Sequence, residues 1–421
     1  MNHPSQNRVL FLDNLRYVLV FGVVIQHAAN SYIGLDWWPV MDSKSGFVSG
    51  INTFLDGFLM PSLFFLAGYF FLLSAKKKSL PSYIKAKLKR LGLPWLFCTL
   101  FICPVLPFVY HFTRNGFVIQ QSFWSVWKAM FKNAATFYTG FLPPMDVVME
   151  NILFYQRYMW FLGLLFLFFV IFGCLYHALP SWFDIKTLKD IDHKASISRD
   201  VKIILCVGLI TFVGSSIIIM TMFAMTKGIS NPETWVSLGN LVQFRISRIF
   251  LHTSYFILGI VAYKNLWVER KWLTGHIRAK GGLLLFVLVL FFMVKDQMIN
   301  CPEHLEELFG LMFWLVLNFV CITALVFFVS LFFKFMNKPS RFNEKMANSS
   351  YNVYLSHYIF INAFQLALLP VLWMPGALKF VIVFVLSLIS SVAISCFLVE
   401  KYPGKTALMM FGLFLILCLS F

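Results

Sequence analysis

The chain has 421 residues, 59% hydrophobic and only 13% charged, where an ordinary soluble domain carries about 25% charged residues. The apolar residues gather in runs of about 17–25, the length that crosses hydrocarbon, which excludes a soluble enzyme. An outer-membrane barrel is excluded too, since no period-two alternation is present. The formal net charge of +17 falls in loops on one side and so is no nucleic-acid footprint.

In chain order the candidate spans are 9–32, 47–74, 93–111, 158–180, 201–225, 244–263, 281–296, 309–333, 350–370 and 377–398. The expected fold is an all-α integral membrane protein of about ten transmembrane helices. A short apolar tail, 407–421, is left open between an eleventh span and an interfacial helix. The first run is broken by Asp13 and Arg16 and no small-residue cleavage site follows, so it reads as a retained helix and not a signal peptide. Residues 75–92 hold seven Lys/Arg, 181–202 five, 264–280 five, 334–345 four and 399–406 two. The connections 34–46 and 226–243 hold one each, and 297–308 and 371–376 none. Basic loops stay in the cytoplasm, so this alternation predicts a plasma (bacterial inner) membrane protein with a cytoplasmic N-terminus.

The long 112–157 connection then faces outside. It contains GFLPPMD (140–146), whose two prolines exclude a continuous helix. Its Trp124, Trp127, Phe137 and Tyr138 offer flat faces suited to sugar rings. The eight cysteines form no CxxC pair, so neither zinc nor a disulfide framework is indicated. No metal ligand set, Gly-rich nucleotide loop or inverted repeat stands out.

Ionisable groups inside spans are costly and usually line a cavity or pathway. Arg16 and His27 lie eleven residues apart in span one. That spacing is nearly three whole turns, so both project from one face, about 16 Å apart along the axis. Asp13, one turn before Arg16, is placed to pair with it. The plainer reading has Arg16 snorkelling to the head groups and His27 at the interface. His357 shares a broad face with Tyr351 and Tyr354. It could relay a proton, bind substrate, or pin two helices, the last being the plainer role. Trp160, His252, Arg245 and Arg248 read first as interface residues.

Taken together, LDNLR with Arg16-x10-His27 resembles the signature of the membrane acyltransferase-3 family. Further similarities follow in order: MPSLFFLAGYF (60–70), with Ala67 where the family has serine; KAKLKRLGLPWL (85–96), with Lys87-x-x-Arg90 for Arg-x-x-Arg; YMWFLGLL (158–165); SSYNVYLSH (349–357); and FLVEKYP (397–403). The resemblance covers residues 8–403, an acyltransferase-3-like transmembrane domain, with 404–421 as a C-terminal tail. Within the family the chain looks most similar to the glucan-modifying, glucan biosynthesis protein C-like branch, whose members place succinyl groups on periplasmic glucans.

The resemblance implies transfer of an acyl group, acetyl or succinyl, from cytoplasmic acyl-CoA to a hydroxyl of an envelope glycan or glycolipid. It implies acyl-CoA as co-substrate and no bound cofactor. His27 is the expected base, because an imidazole with an ordinary pKa of about 6.5 suits proton removal from an alcohol. Arg16 would hold the donor or stabilise negative charge, with Asp13 orienting it. Lys87 and Arg90 would contact nucleotide phosphates, although topology and anionic lipid also account for a basic loop. His357, Tyr354 and Trp160 are possible substrate or relay residues. The alternative class is a multi-pass transporter or flippase. It would use the same buried Arg and His as a solute path, and commonly shows repeats and paired broken helices.

Overall fold

A computed structural model describes residues 9–76, 78–185, 193–225, 234–269 and 273–420. Lys77 and parts of the basic connections 181–202 and 264–280, of the 226–243 connection and of the tail lie outside these. The helices are α1 (Leu10–Ala29), α2 (Gly46–Tyr69), α3 (Phe71–Ala75), α4 (Leu80–Lys87), α5 (Leu93–Phe101), α6 (Val105–Arg114), α7 (Phe123–Ala134) and α8 (Met145–Glu150). They continue with α9 (Trp160–Ala178), α10 (His193–Met225), α11 (Ile249–Lys264), α12 (Ile277–Asn300), α13 (Glu306–Phe335), α14 (Arg341–Leu368), α15 (Gly376–Ile394) and α16 (Pro403–Ser420).

Among the described residues, nine helical stretches are long and apolar enough to cross a membrane. The expected span at 350–370 is the helix α14, of full crossing length but too polar to count among the nine. Its buried side chains include Ser349, Ser350, His357, Asn362 and Gln365, so its polar face turns into the bundle and not toward lipid. The tail is helical as α16, and Phe414 packs on Phe101 of α5 and Phe123 of α7.

α1 stands at the centre, packed on α2, α13, α14 and α15. α14 runs parallel to it: Tyr17 donates to Asn343 near the start of both helices, and Gln365 donates to the Ala28 carbonyl near their far ends. The end where α1 begins is called the near end below. α10 and α12 leave most of their apolar side chains on the outside, as helices bounded by lipid do.

Prolines explain two helix irregularities. Pro61 cannot donate to the Gly57 carbonyl four residues back, and that carbonyl instead accepts from the Cys321 thiol of α13. Pro94 leaves the Arg90 carbonyl free in the same way. The chain widens there into a π-turn over Leu88–Gly92, and the freed carbonyl accepts from the Tyr351 hydroxyl of α14 at 2.7 Å.

A small sheet, not expected from the sequence, ties the 112–157 connection to the segment before α11. β1 (Gly140–Phe141), β2 (Trp235–Leu238) and β3 (Val242–Arg245) pair antiparallel in that order. The predicted start of span six at 244 is therefore strand, and helix begins at Ile249.

α2 and α11 approach so closely that a Cβ on Gly68 would overlap the Phe256 carbonyl oxygen, and one on Gly259 the Phe65 carbonyl oxygen. Without a hydrophobic drive between helices in lipid, small residues that admit backbone contact supply the packing. Gly68→Val should therefore force the two helices apart and destabilise the protein by about 3 kcal/mol, the upper end of ordinary overpacking. Thermal unfolding of the purified protein checks this, with Gly50→Val, where a Cβ meets open space, as the control.

Candidate active site

His27 sits in the half of the bundle away from the near end, roughly 25 Å up α1 at 1.5 Å per residue. Its Nδ1 lies 2.9 Å from Nε2 of His357 on α14, and the two rings stack with centroids 5.1 Å apart. The other nitrogen of His357, Nδ1, is 2.8 Å from the Tyr354 carbonyl and 3.2 Å from that of Val353. Carbonyls only accept, so in the neutral pair His357 Nδ1 carries the proton and its Nε2 accepts. His27 Nδ1 must then donate. That assignment, made from the network, leaves the lone pair on His27 Nε2.

Aromatic rings close the surroundings. Tyr358 stands edge-on to His27 at 4.7 Å, and Trp38 lies parallel at 6.4 Å. Trp38 is fully buried although it belongs to a loop. Its Nε1 donates to Gln365 Oε1 at 2.9 Å, and Asp42 of the same loop pairs with the buried Lys379 of α15 at 2.7 Å. The 33–45 segment is thereby held over His27 as a fixed cover.

Tyr351, Tyr354 and His357 do share a face, and each fixes a different neighbour. Tyr354 donates to the Tyr158 carbonyl, and the Tyr158 hydroxyl donates back to the Leu355 carbonyl at 2.8 Å. Tyr158 follows a buried, irregular strap, residues 152–156, which is possible inside a membrane protein only where protein groups satisfy its backbone. Gln243 of β3 does this: its Oε1 accepts from the Gln156 amide at 2.7 Å and its Nε2 donates to the Phe154 carbonyl.

Arg157 closes the strap with a positive φ of 54° and is 4% exposed. Its guanidinium lies over the Tyr155 ring at 5.3 Å, while Nε and Nη2 are buried without a hydrogen-bond partner. A left-handed backbone costs a non-glycine residue about 1–2 kcal/mol, and burying an unpaired charge adds a desolvation cost to that.

A second charged cluster abuts the first. Asp56 of α2 accepts from Arg248 at 2.6 Å and from Gln26, the residue before His27, at 3.2 Å; Arg245 stands at 3.8 Å. Arg248 and His252 are therefore buried within the bundle, not at an outer interface as the sequence suggested. His252 packs between Phe64 and Trp160. Trp160 also belongs to the interior, packing on Trp235 of β2.

The remaining expected residues lie apart from the histidines. Arg16 pairs with Asp13 at 3.1 Å near the start of α1, about 16 Å below His27 along the helix. Lys87 turns its ammonium inward, 3.6 Å above the Phe169 ring, while the Arg90 side chain is exposed beside the near end. Sequence reasoning missed Asp56, Trp38, Gln365 and Arg157. Asp56 was visible as a carboxylate inside an apolar run. Arg157 was absorbed into the 112–157 connection, and nothing local marked Trp38 or Gln365.

A family model described as an acyltransferase domain, of the acyltransferase-3 type, matches residues 9–400, nearly the whole chain. No curated protein and no solved structure matches it.

Asp56 keeps about a third of its side chain accessible while Arg248 keeps 7%, so removing the carboxylate strands a buried cation. Asp56→Ala should cost about 3 kcal/mol. The double variant Asp56→Leu with Arg248→Met should recover most of that loss, read from unfolding midpoints.

Proposed function

The chain belongs to the membrane acyltransferase-3 family and is an acyltransferase; from that premise we propose that it moves an acetyl or succinyl group from cytoplasmic acyl-CoA to a hydroxyl of an envelope glycan or glycolipid. The observation that carries this reading is the directed pair of imidazoles. An alcohol attacks a thioester only as its proton leaves, and His27 Nε2 is the nitrogen free to take it. His357 holds the tautomer that frees it, being itself held by the Tyr354 carbonyl.

The near end, with its basic connection, is taken as cytoplasmic on the distribution of Lys and Arg. The donor's phosphates are then met first by Arg90, whose guanidinium is free to fork onto phosphate oxygens. Lys87, drawn against Phe169, contributes from behind. Arg16, fixed by Asp13, lines the route between that end and His27. The Tyr351–Tyr354–His357 face of α14 runs beside it, giving a thin, flexible pantetheine arm a polar side to follow. The acceptor enters from the other end, beneath the Trp38 cover and near the aromatic 112–157 connection. The addition moves the hydroxyl proton to His27, and collapse expels the thiolate of coenzyme A, which recovers it.

His27→Ala should abolish acylation of the surface glycans, seen by mass spectrometry, while the protein stays at normal abundance in the membrane. His357→Ala should lower the rate by at least about tenfold, part of the 10²–10⁴ that the base it orients supplies. Full acylation by the His27 variant would remove the base from the scheme. Arg90→Gln should weaken acyl-CoA binding about tenfold, as loss of a charged hydrogen bond does. Unchanged binding would return that connection to a topological role.

A further inference from the structure

One group near the histidine pair is unanswered in the scheme above. Arg157 is almost wholly buried, and Nε and Nη2 have no hydrogen-bond partner. The phenols of Tyr155 and Tyr358 and the thiol of Cys103 stand near it, all weaker acids than a carboxyl group. Among the described residues, no carboxylate approaches it as Asp56 approaches Arg248. The same residue holds a left-handed backbone, and two side-chain amides, Gln156 and Gln243, clamp the strap that presents it. Strain and an uncompensated charge at one residue persist only where the surroundings enforce them, and such residues cluster at ligand clamps.

Position says what the clamp faces. Tyr358 is edge-on to His27 at 4.7 Å and stacked on Tyr158, the residue after Arg157, at 4.3 Å. Tyr358 also lines a small apolar crevice, room for about one water, with Ile102, Leu106 and Asn362. One aromatic ring therefore touches the base, that crevice and the tyrosine next in sequence to the unpaired cation. A fixed guanidinium with two unfilled donors, on the residue before the tyrosine that Tyr358 stacks on, suits an oxygen anion.

We propose that Arg157 is a binding residue for an oxygen anion of the acyl group. Two sources have this chemistry: the thioester carbonyl oxygen, which becomes an alkoxide when the acceptor oxygen adds to its carbon, and a free carboxylate at the far end of a dicarboxylic acyl group. In the first case the acceptor proton goes to His27, the carbonyl π pair goes to the oxygen facing Arg157, and re-formation of the carbonyl expels the thiolate. In the second the contact exists before reaction and selects the donor. The proposal rests on the acyl-transfer reading for its ligand, but the charge it must meet is set by the structure alone.

The full chain in lipid nanodiscs is melted with sodium acetate or succinate, against chloride at equal ionic strength. Wild type should gain about 2–4 °C with the carboxylates, Arg157→Lys less, and Arg157→Gln nothing. An equal gain in wild type and Arg157→Gln, or none in wild type, overturns the proposal. Should Arg157→Gln fail to accumulate, Arg157→Lys against wild type carries the same comparison. This readout needs no acyl-CoA, so its failure is separable from failure of the acyl-transfer reading. Turnover with acetyl-CoA and succinyl-CoA then assigns the source. A fall in kcat for both donors in Arg157→Gln points to the alkoxide, a rise in KM for succinyl-CoA alone to the carboxylate, and unchanged turnover of both overturns the assignment.

Discussion

The hydrogen bond between His27 and His357 joins two helices 330 residues apart in the chain, and the rest of the site is arranged around its direction. A ring nitrogen either gives or accepts. Once the Tyr354 carbonyl claims one nitrogen of His357, the roles of the remaining three follow without further freedom. Tyr158, Tyr358, Trp38 and Gln365 keep the two rings in register. α14 is too polar to resemble a membrane helix for the same reason. It carries the hydrogen-bonding groups that α1, the turn before α9 and the cover over His27 consume.

A hydrocarbon surround makes every unmatched backbone group expensive, and the molecule turns that constraint into connections. Where Pro61 and Pro94 break the helical ladder, the released carbonyls are taken up by side chains of α13 and α14. Ser349 at one end of α14 donates to Glu400, beyond α15, at 2.9 Å. The sequence segments SSYNVYLSH and FLVEKYP are thus two halves of one contact. Gly68, in the segment 60–70, lets α11 come to backbone distance. Each of these stretches has a mechanical reason for its composition, independent of any chemistry at His27.

Much of this was legible in the chain. Apolar run lengths located the spans, and the spacing of Asp13 and Arg16 announced their ion pair. The serial motifs pointed to a family whose domain model spans 9–400. What escaped were relations between distant residues. Periodicity placed His27 and His357 each on a helical face but held nothing about those faces meeting. Arg248 and His252 looked interfacial because they stand near a span's start, while β3 and the turn after it carry that start inward. The sheet itself was hidden because β1 has two residues and its partners lie nearly a hundred positions on.

The long reach of the central contact bears on how the protein is made. α1 leaves the ribosome before α14, and the partner of its imidazole follows 330 residues later, about 15–65 s at 5–20 residues per second. Gln26 finds Asp56 within 30 residues, so the first two helices can be matched early while His27 stays unanswered. Insertion therefore ends in a distinct closing event, when α14 enters beside a helix that has waited through most of translation. A nascent chain halted before that point exposes an unfinished polar seam.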